Sequence, residues 1–342
     1  MSKRKNKSRF RWIAFIVEVI ILLILAGALF VGYQLTRIDH VKVDEKEISA
    51  NDNIDTYELN SMTGYQNIAL FGVDSRAGEL ESGTNSDTIM VCSINKKTKE
   101  VKLVSVYRDT YLDVGDGNYQ KANAAYAIGG AQRAVAMLNK NLDLNITDYA
   151  TVNFEALVDI IDVFGGVDIE VTEDEVTWLN AYLVEARQVL NKECEDVYGS
   201  GMLHLNGMQA LAYCRIRYIG LDYERTERQR KVLAQVMAHA KNSSVVTLTN
   251  VVTSLLPEIS TSLSMSEILS LATSAGSYNM GETQGFPYDK TTMDTAAGDC
   301  VVPVNLAANV TTLHAFLYGS QDYTPSATVQ EISNYISAET GV

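Results

Sequence analysis

The sequence predicts an α/β domain, a central sheet with helices on both faces. Three observations predict it. Continuous apolar runs of strand length recur at Asn67–Val73, Thr88–Ile94 and Val101–Tyr107, as strands covered on both faces require. Segments of helical period, such as 131–141 and 154–164, alternate with further strand-like runs. The 342 residues, 46% hydrophobic and 20% charged, suffice for one large domain or two small ones.

The first eleven residues hold Lys3, Arg4, Lys5, Lys7, Arg9 and Arg11 and no acid, and Trp12 to Tyr33 is apolar apart from Glu18. At about 1.5 Å per residue that stretch reaches roughly 33 Å, enough for a hydrocarbon core of about 30 Å. A basic flank stays in the cytoplasm. The expectation is therefore a cytoplasmic tail (1–11), a transmembrane helix (12–33) and an extracellular remainder, a single-pass type II membrane protein. A cleaved signal peptide ending near Ala26-Gly27-Ala28 is the competing reading, but its apolar region runs about 7–15 residues. Glu18 lies close enough to the basic flank to snorkel or pair locally. A tail of this size is too short for a DNA-binding domain. Residues 34–62 are polar and read as a stalk with one short helix.

A folded domain is expected over 63–320. Its first apolar run ends in Asp74, and Asn95-Lys96-Lys97-Thr98-Lys99 reads as the hairpin turn between the second and third. Gly165-Gly166 ends a helix, and Val167–Val171 resumes a strand. Residues 173–200 read as a charged helical insertion, 205–211 as a short helix and 223–241 as a long one. Helices near 245–255 and 265–275, a strand at 301–304 and a helix over 309–318 follow, before a C-terminal tail (321–342).

The formal net charge is −14. Six of the 28 Lys and Arg lie in the first eleven residues, so the remainder carries 22 against 42 Asp and Glu. That balance argues against sequence-independent nucleic-acid binding, which needs broad cationic surface. None of Cys92, Cys194, Cys214 and Cys300 sits in a C-x-x-C pair. Cys92 and Cys214 read as buried thiols, and Cys194 and Cys300 could pair in an oxidising exterior. The two tryptophans, Trp12 and Trp178, give no aromatic stripe for carbohydrate. There is no G-x-S-x-G elbow, no phosphate-binding G-x-x-x-x-G-K-[ST] and no H-E-x-x-H, and His40, His204, His239 and His314 are scattered. Serine-triad and His-ligated zinc chemistry lose their basis.

Against that acidic background, five arginines fall between Arg215 and Arg230. Guanidinium forks suit phosphate, because two N–H donors meet two oxygens at once. Arg215 and Arg217, two apart, share a face if they lie on a strand. Arg225 and Gln229, four apart, share a helix face. Arg228 and Arg230 turn off it and read as structural or solvent-facing. Acids and bases also collect at strand ends: Asp74 and Arg76 after the first run, Asp87 before the second, Arg108 and Asp109 after the third. Carboxyl ends of strands form the ligand crevice of α/β sheets. Asp74 and Asp87 are hard oxygen donors suited to Mg2+ with a substrate phosphate, although each could instead cap a turn.

In these residues the chain resembles the LytR–CpsA–Psr family of membrane-anchored enzymes, which attach polymers to Gram-positive cell walls. The motifs run in order from 67 to 241 and more weakly to about 318. They are Gly72-Val73-Asp74-Ser75-Arg76, Ser86-Asp87-Thr88, Arg108-Asp109-Thr110 and Lys121-Ala122-Asn123-Ala124-Ala125-Tyr126. Gly165-Gly166-Val167, Leu205 to Leu211, Arg215-Ile216-Arg217 and Asp222 to Gln229 complete the set. Three departures stand out: Asn85 where the family has Arg, Tyr107 where it has Pro, and Tyr223-Glu224 where it has Phe-Gly.

The resemblance implies an α–β–α domain around a mixed sheet. It implies transfer of a glycopolymer (teichoic acid, capsule or another glycan), with one phosphate, from a polyprenyl diphosphate to a peptidoglycan hydroxyl. Asp74 and Asp87 would hold Mg2+, with Mn2+ an alternative. Arg76, Arg108, Lys121, Arg215, Arg217, Arg225 and Gln229 would contact the diphosphate. Asp74, Arg108, Asp109 and Arg217 would be catalytic, with Asp74 or Asp109 as general base. A polyprenyl-diphosphate hydrolase and a non-catalytic envelope regulator are the alternatives. The family's prenyl tunnel gives no signal separable from core packing at Leu157, Ile160, Ile161 and Phe164.

Overall fold

A computed structural model describes residues 39–40, 44, 46–74, 80, 83–244, 246–248, 251, 255 and 259–342. The expected cytoplasmic tail, the expected membrane span and Arg76 lie outside the described residues. Among those described, no helix is long and apolar enough to cross a membrane.

Seven strands form the central sheet, in the order β1 (Asp39–His40), β10 (Ile259–Thr261), β7 (Asp148–Val152), β2 (Tyr65–Val73), β3 (Ser86–Asn95), β4 (Glu100–Val106) and β11 (Asn279–Phe286). The sheet is mixed. β7 runs parallel to β2 and β11 parallel to β4, while β3 is antiparallel to both neighbours. The carboxyl ends of β2, β4, β7 and β11 therefore share one edge with the amino end of β3. The β3–β4 turn holds Lys99 at φ 62° and is capped by the Asn95 side chain, which accepts from the Lys97 and Thr98 amides.

Strand residues alternate between two cores. Ala69, Phe71 and Val73 of β2 face one way, with Ile89 and Val91 of β3 and Val104 and Val106 of β4. That face is covered by α2 (Ala124–Leu142), α8 (Leu306–Tyr318), α9 (Ala327–Thr340) and the hairpins β5–β6 (Tyr111–Asp113, Tyr119–Lys121) and β12–β13 (Lys290–Thr295, Gly298–Pro303). Ile68, Cys92, Ile94, Val101 and Leu103 face the other way. Over them lie α3 (Phe154–Val163), α4 (Glu173–Leu190), α5 (Gly207–Arg215), α6 (Leu221–Asn242), α7 (Met265–Ser274) and the hairpin β8–β9 (Val167–Val171, Gly201–Leu205).

Local chemistry explains the helix limits. Thr172 with Glu175 and Asn206 with Gln209 form capping boxes that start α4 and α5. Gly129 and Gly130 interrupt α2 with non-helical torsions, so its second half begins at Ala131. Gly207 opens α5 against the backbone of α3: a Cβ there would sit 2.2 Å from the Val158 carbonyl oxygen.

Four expectations change. Residues 321–342 are not a tail: α9 buries Val329, Ile332 and Ile336 against the first core. The stalk is docked at its far end, where Ile48, Ile54 and Met62 are buried and α1 (Thr56–Met62) precedes β2. Arg215 and Arg217 are not on a strand. The Asn206 box starts a helix that runs through Arg215, and Ile216 leaves it in an extended conformation. All four cysteines are free. Cys194 lies beside the Asn206 cap and Cys300 beside Thr295 in the opposite core. Burial pushes the Cys92 and Cys214 thiols up to about 12, as apolar surroundings demand. The expected helix near 245–255 lies partly outside the described residues.

Replacing Gly207 with Ala would force α5 off α3. A loss of about 1–3 kcal/mol is expected for such overpacking, read as a lower urea midpoint at unchanged slope; an unchanged midpoint would show that the close approach is not needed.

Candidate active site

A cavity of about 500 Å³ opens at the shared strand edge, between the sheet and helices α3 to α6. Asp74 reaches it from the end of β2, Asp87 from the start of β3, Arg108 from the loop after β4. Arg215 comes from the last turn of α5, Arg217 from the loop beyond, and Arg225 and Gln229 from α6. One chain reversal explains much of this. Because β3 runs back along β2, with Gly72 opposite Thr88 and Val73 opposite Ser86, Asp74 and Asp87 end up side by side.

The charges form a chain of contacts. Arg108 meets Asp87 at 2.5 Å, and Arg217 meets the same Asp87 oxygen at 3.4 Å. Arg225, only 2% exposed, pairs with Asp222 at 2.5 Å and donates to the Asp87 carbonyl at 3.0 Å. Arg108 Nε stands 3.6 Å from Asp109 and 3.9 Å from Asp222. Arg215 binds Glu185 at 2.9 Å, with its guanidinium over the Phe154 ring at 4.8 Å. Burial dominates the titrations. It raises the Asp222 carboxyl despite Arg225 and Arg108, and it lowers Arg225 despite Asp222. The Asp74 carboxyl is raised by burial and by Asp87 and Glu185, against the opposing pull of Arg215.

Among the described residues, several polar atoms of this site are buried without a hydrogen-bond partner: Arg108 Nε, Arg215 Nη1, Arg225 Nε, Asp222 Oδ2 and Gln229 Oε1. Buried donors of this kind normally have an acceptor. Three guanidinium N–H groups lacking one, in residues that line a single cavity, fit an anionic ligand. The rest of the cavity is apolar, lined by Leu70, Met90, Phe154, Leu157, Ile160, Leu211, Val232, Leu233 and Val236.

Two expected residues do not line the cavity. Asp109 lies 3.6 Å from Arg108 Nε and is held at 3.2 Å by Lys121. Arg228 and Arg230 are buried rather than solvent-facing: Arg228 pairs with Glu175 at 2.7 Å, and Arg230 packs near Tyr107. Of the apolar α3 residues, Leu157 and Ile160 face the cavity, while Ile161 is in the core and Phe164 stacks on His239. Sequence reading assigned no role to Asp222 or Glu185. The i,i+3 spacing of Asp222 and Arg225 was a usable signal for the first; nothing local marks the second, which is 30 residues from Arg215. A second depression, about 800 Å³, lies against α2. Its cations are already paired, Arg133 with Asp116 and Lys140 with Asp113.

Two carboxylates bear on a divalent cation. Asp74 and Asp87 offer hard oxygens to one cavity and repel each other, and among the described residues no group of three or more His, Cys, Asp or Glu gathers to hold a metal. Two carboxylates completed by phosphate oxygens and water are a common Mg2+ arrangement.

The chain is thus a mixed-sheet α/β domain with an arginine-lined, half-apolar cavity at its strand ends. The LytR_cpsA_psr family profile matches residues 32–308, and the chain belongs to that family. It is 32% identical over 208 residues to the polyisoprenyl-teichoic acid–peptidoglycan teichoic acid transferase TagU of Bacillus cereus, covering 60% of this chain and 62% of the relative. The TagU of Bacillus mycoides is 32% identical over 238 residues, 68% of this chain and 72% of the relative. Among solved structures, the family protein YwtF (TagT) with bound octaprenyl pyrophosphate superposes with a TM-score of 0.55 at 20% identity, over 89% of this chain and 100% of that one; that likeness is one of fold.

Truncating Arg225 to Ala would leave Asp222, largely buried, with only the 3.9 Å contact to Arg108. Breaking such a pair costs about 3–5 kcal/mol, so a large drop in the denaturation midpoint is expected, and pairing the change with Asp222→Asn should recover part of it. A cycle showing no coupling would refute the pairing.

Proposed function

We propose that this chain transfers a glycopolymer, with one phosphate, from a polyprenyl diphosphate to a peptidoglycan hydroxyl. It would do so as a single-pass membrane enzyme with its domain outside the cell. The observation that carries this reading is the two-part lining of one cavity. Four arginines and three carboxylates (Asp74, Asp87 and Glu185) surround one part, and mostly aliphatic side chains line the other. A diphosphate joined to a prenyl chain has the same two-part chemistry. Relatives named as teichoic acid transferases and a family structure holding octaprenyl pyrophosphate support it.

In this reading the acceptor hydroxyl attacks the phosphorus that bears the glycan. The bond to the prenyl phosphate breaks, polyprenyl phosphate leaves, and a phosphodiester joins polymer to wall. Such a reaction depends on positioning and charge stabilisation more than on covalent help. Arg217, the most exposed arginine of the set and the one with the longest contact to Asp87, exchanges that contact for phosphate oxygens at least cost. Buried Arg225 and the partly buried Arg108 and Arg215 add donors held in place by their ion pairs. Gln229 faces the same cavity and donates through its amide. The acceptor proton passes to Asp74, which lines the cavity; Asp109, held by Lys121, keeps Arg108 oriented. Asp74 and Asp87 would hold Mg2+ or Mn2+, which when bound supplies positive charge against the leaving phosphate. Asn85 and the family's usual Arg differ by one phosphate donor, so the remaining arginines carry that load.

The test combines the full-length protein with a lipid-diphosphate-linked glycopolymer, peptidoglycan oligomers and Mg2+. Covalent polymer–glycan product is expected. Free phosphorylated polymer alone would make the protein a hydrolase, and no turnover would leave a regulator. Arg217→Ala is expected to lower kcat about 10²–10³-fold, as loss of one preorganised donor does; wild-type turnover would remove it from the site.

Asp74→Asn should separate activity from stability. A carboxyl raised in the fold adds stability that is full below its unfolded pKa and is lost as pH rises through the folded value. At neutral pH the ionised side chain therefore opposes folding. The variant is expected to lose turnover while its neutral-pH Tm stays level or rises; a fall in Tm would contradict the burial argument.

A further inference from the structure

One group of side chains beside the cavity has no role in the phosphate chemistry. Tyr218 directly follows Arg217 and is 73% exposed, yet its ring is stacked on Trp178 of α4, with centroids 4.3 Å apart and planes 18° from parallel. Tyr182, one turn further along α4, lies 6.3 Å from Tyr218 and turns its ring to the Arg215 guanidinium at 5.9 Å. Tyr182 itself lines the cavity. The aromatic surface thus runs from the phosphate-facing arginines outward to an open tyrosine ring. Tryptophan and tyrosine one turn apart on α4 form the platform that a linear reading of two tryptophans does not show.

An exposed aromatic ring held flat by a second ring is preorganised: it presents one face to solvent and has little rotamer freedom to lose on binding. Two ligand parts could cover it, the prenyl chain or the sugar joined to the diphosphate. The apolar lining that suits a prenyl chain lies inward, on α3, α5 and α6, whereas Tyr218 lies outward of Arg217, on the turn between α5 and α6. A diphosphate held by the arginines with its lipid directed inward carries its sugar outward. Pyranoses bind aromatic faces through their C–H edges, with hydroxyls left to water and to side chains such as Glu185, whose carboxylate is half-exposed.

We infer that Tyr218, braced by Trp178, is the platform for the first sugar of the lipid-linked polymer and a specificity-determining residue of the site. The inference rests on the diphosphate reading above. It assigns the aromatic stack to recognition of the glycan rather than of the lipid.

The experiment uses the full-length protein in detergent with Trp12→Phe, which leaves Trp178 as the only tryptophan. Calorimetry compares a polyprenyl diphosphate with the same lipid bearing one N-acetylhexosamine, and Trp178 emission is followed in parallel. The sugar-bearing lipid is expected to bind about tenfold tighter, the scale of one good aromatic contact, and to shift the emission where the bare lipid does not. Tyr218→Ala should erase that difference while affinity for the bare lipid stays within twofold, and Tyr218→Phe should preserve it. An unchanged sugar increment in Tyr218→Ala overturns the inference. Equal weakening of both lipids does so too, and would assign the stack to prenyl contact or to bracing the loop. Binding of neither lipid by the unsubstituted protein would refute the diphosphate reading itself, a different failure.

Discussion

The contact on which this site depends is the buried pair of Arg225 and Asp222. A guanidinium that is 2% exposed survives inside a fold only beside a carboxylate, because an unpaired buried charge costs far more than the pair. Asp222 in turn faces Arg108, and Arg225 reaches back to the Asp87 carbonyl. One ion pair therefore ties the start of α6 to the loop after β4 and the start of β3. Buried ion pairs are weak sources of net stability. Their effect here is geometric: with the inner pair fixed, Arg108 and Arg217 stand at set positions around Asp87.

The two faces of the sheet divide the work. The face covered by α2, α8 and α9 is an extensive apolar core that includes the chain's C-terminal helix. It holds β2, β3 and β4 in register, and the register determines where Asp74 and Asp87 emerge. The opposite face is covered by α3 to α7 and keeps an open space beneath α3 to α6. Leaving that space unfilled forgoes packing energy, and the orphaned guanidinium donors at its rim forgo hydrogen bonds. Both sacrifices make sense for an amphipathic ligand that supplies apolar surface and anionic oxygens together. His314, stacked on Tyr323 in the first core and lowered to about 4 by burial, shows the contrast: an ionisable group there is kept neutral and out of any chemistry.

Much was legible along the chain. The apolar runs gave β2, β3 and β4 to within a residue or two, the Asn95–Lys99 turn gave the β3–β4 hairpin, and the helical period over 131–141 gave the second half of α2. Asp74, Asp87, Arg108, Arg215, Arg217, Arg225 and Gln229 were all identifiable by type and position, and all line one cavity. Less visible were features that depend on what lies opposite. Residues 321–342 look polar enough for a tail, because only every third or fourth residue of α9 is buried. Arg215 and Arg217 would share a face only on a strand, and the Asn206–Gln209 box, nine residues upstream of Arg215, starts a helix there instead. Lys121 looks like a phosphate ligand and Asp109 like a general base, yet the two pair with each other, and Asp109 faces Arg108.

The sequence by itself determined the strands, the acids at their ends, the concentration of arginines and, through its ordered motifs, the family. These are local patterns, set by side-chain period, turn chemistry and residue type within short windows. Only the tertiary structure decided which charges meet: that Asp222 neutralises Arg225, that Glu185 holds Arg215, that Arg228 is a buried structural partner of Glu175, and that Trp178 lies under Tyr218. Each of these contacts closes a loop or crosses between helices. Its existence depends on strand register and helix packing, which no short window of sequence contains.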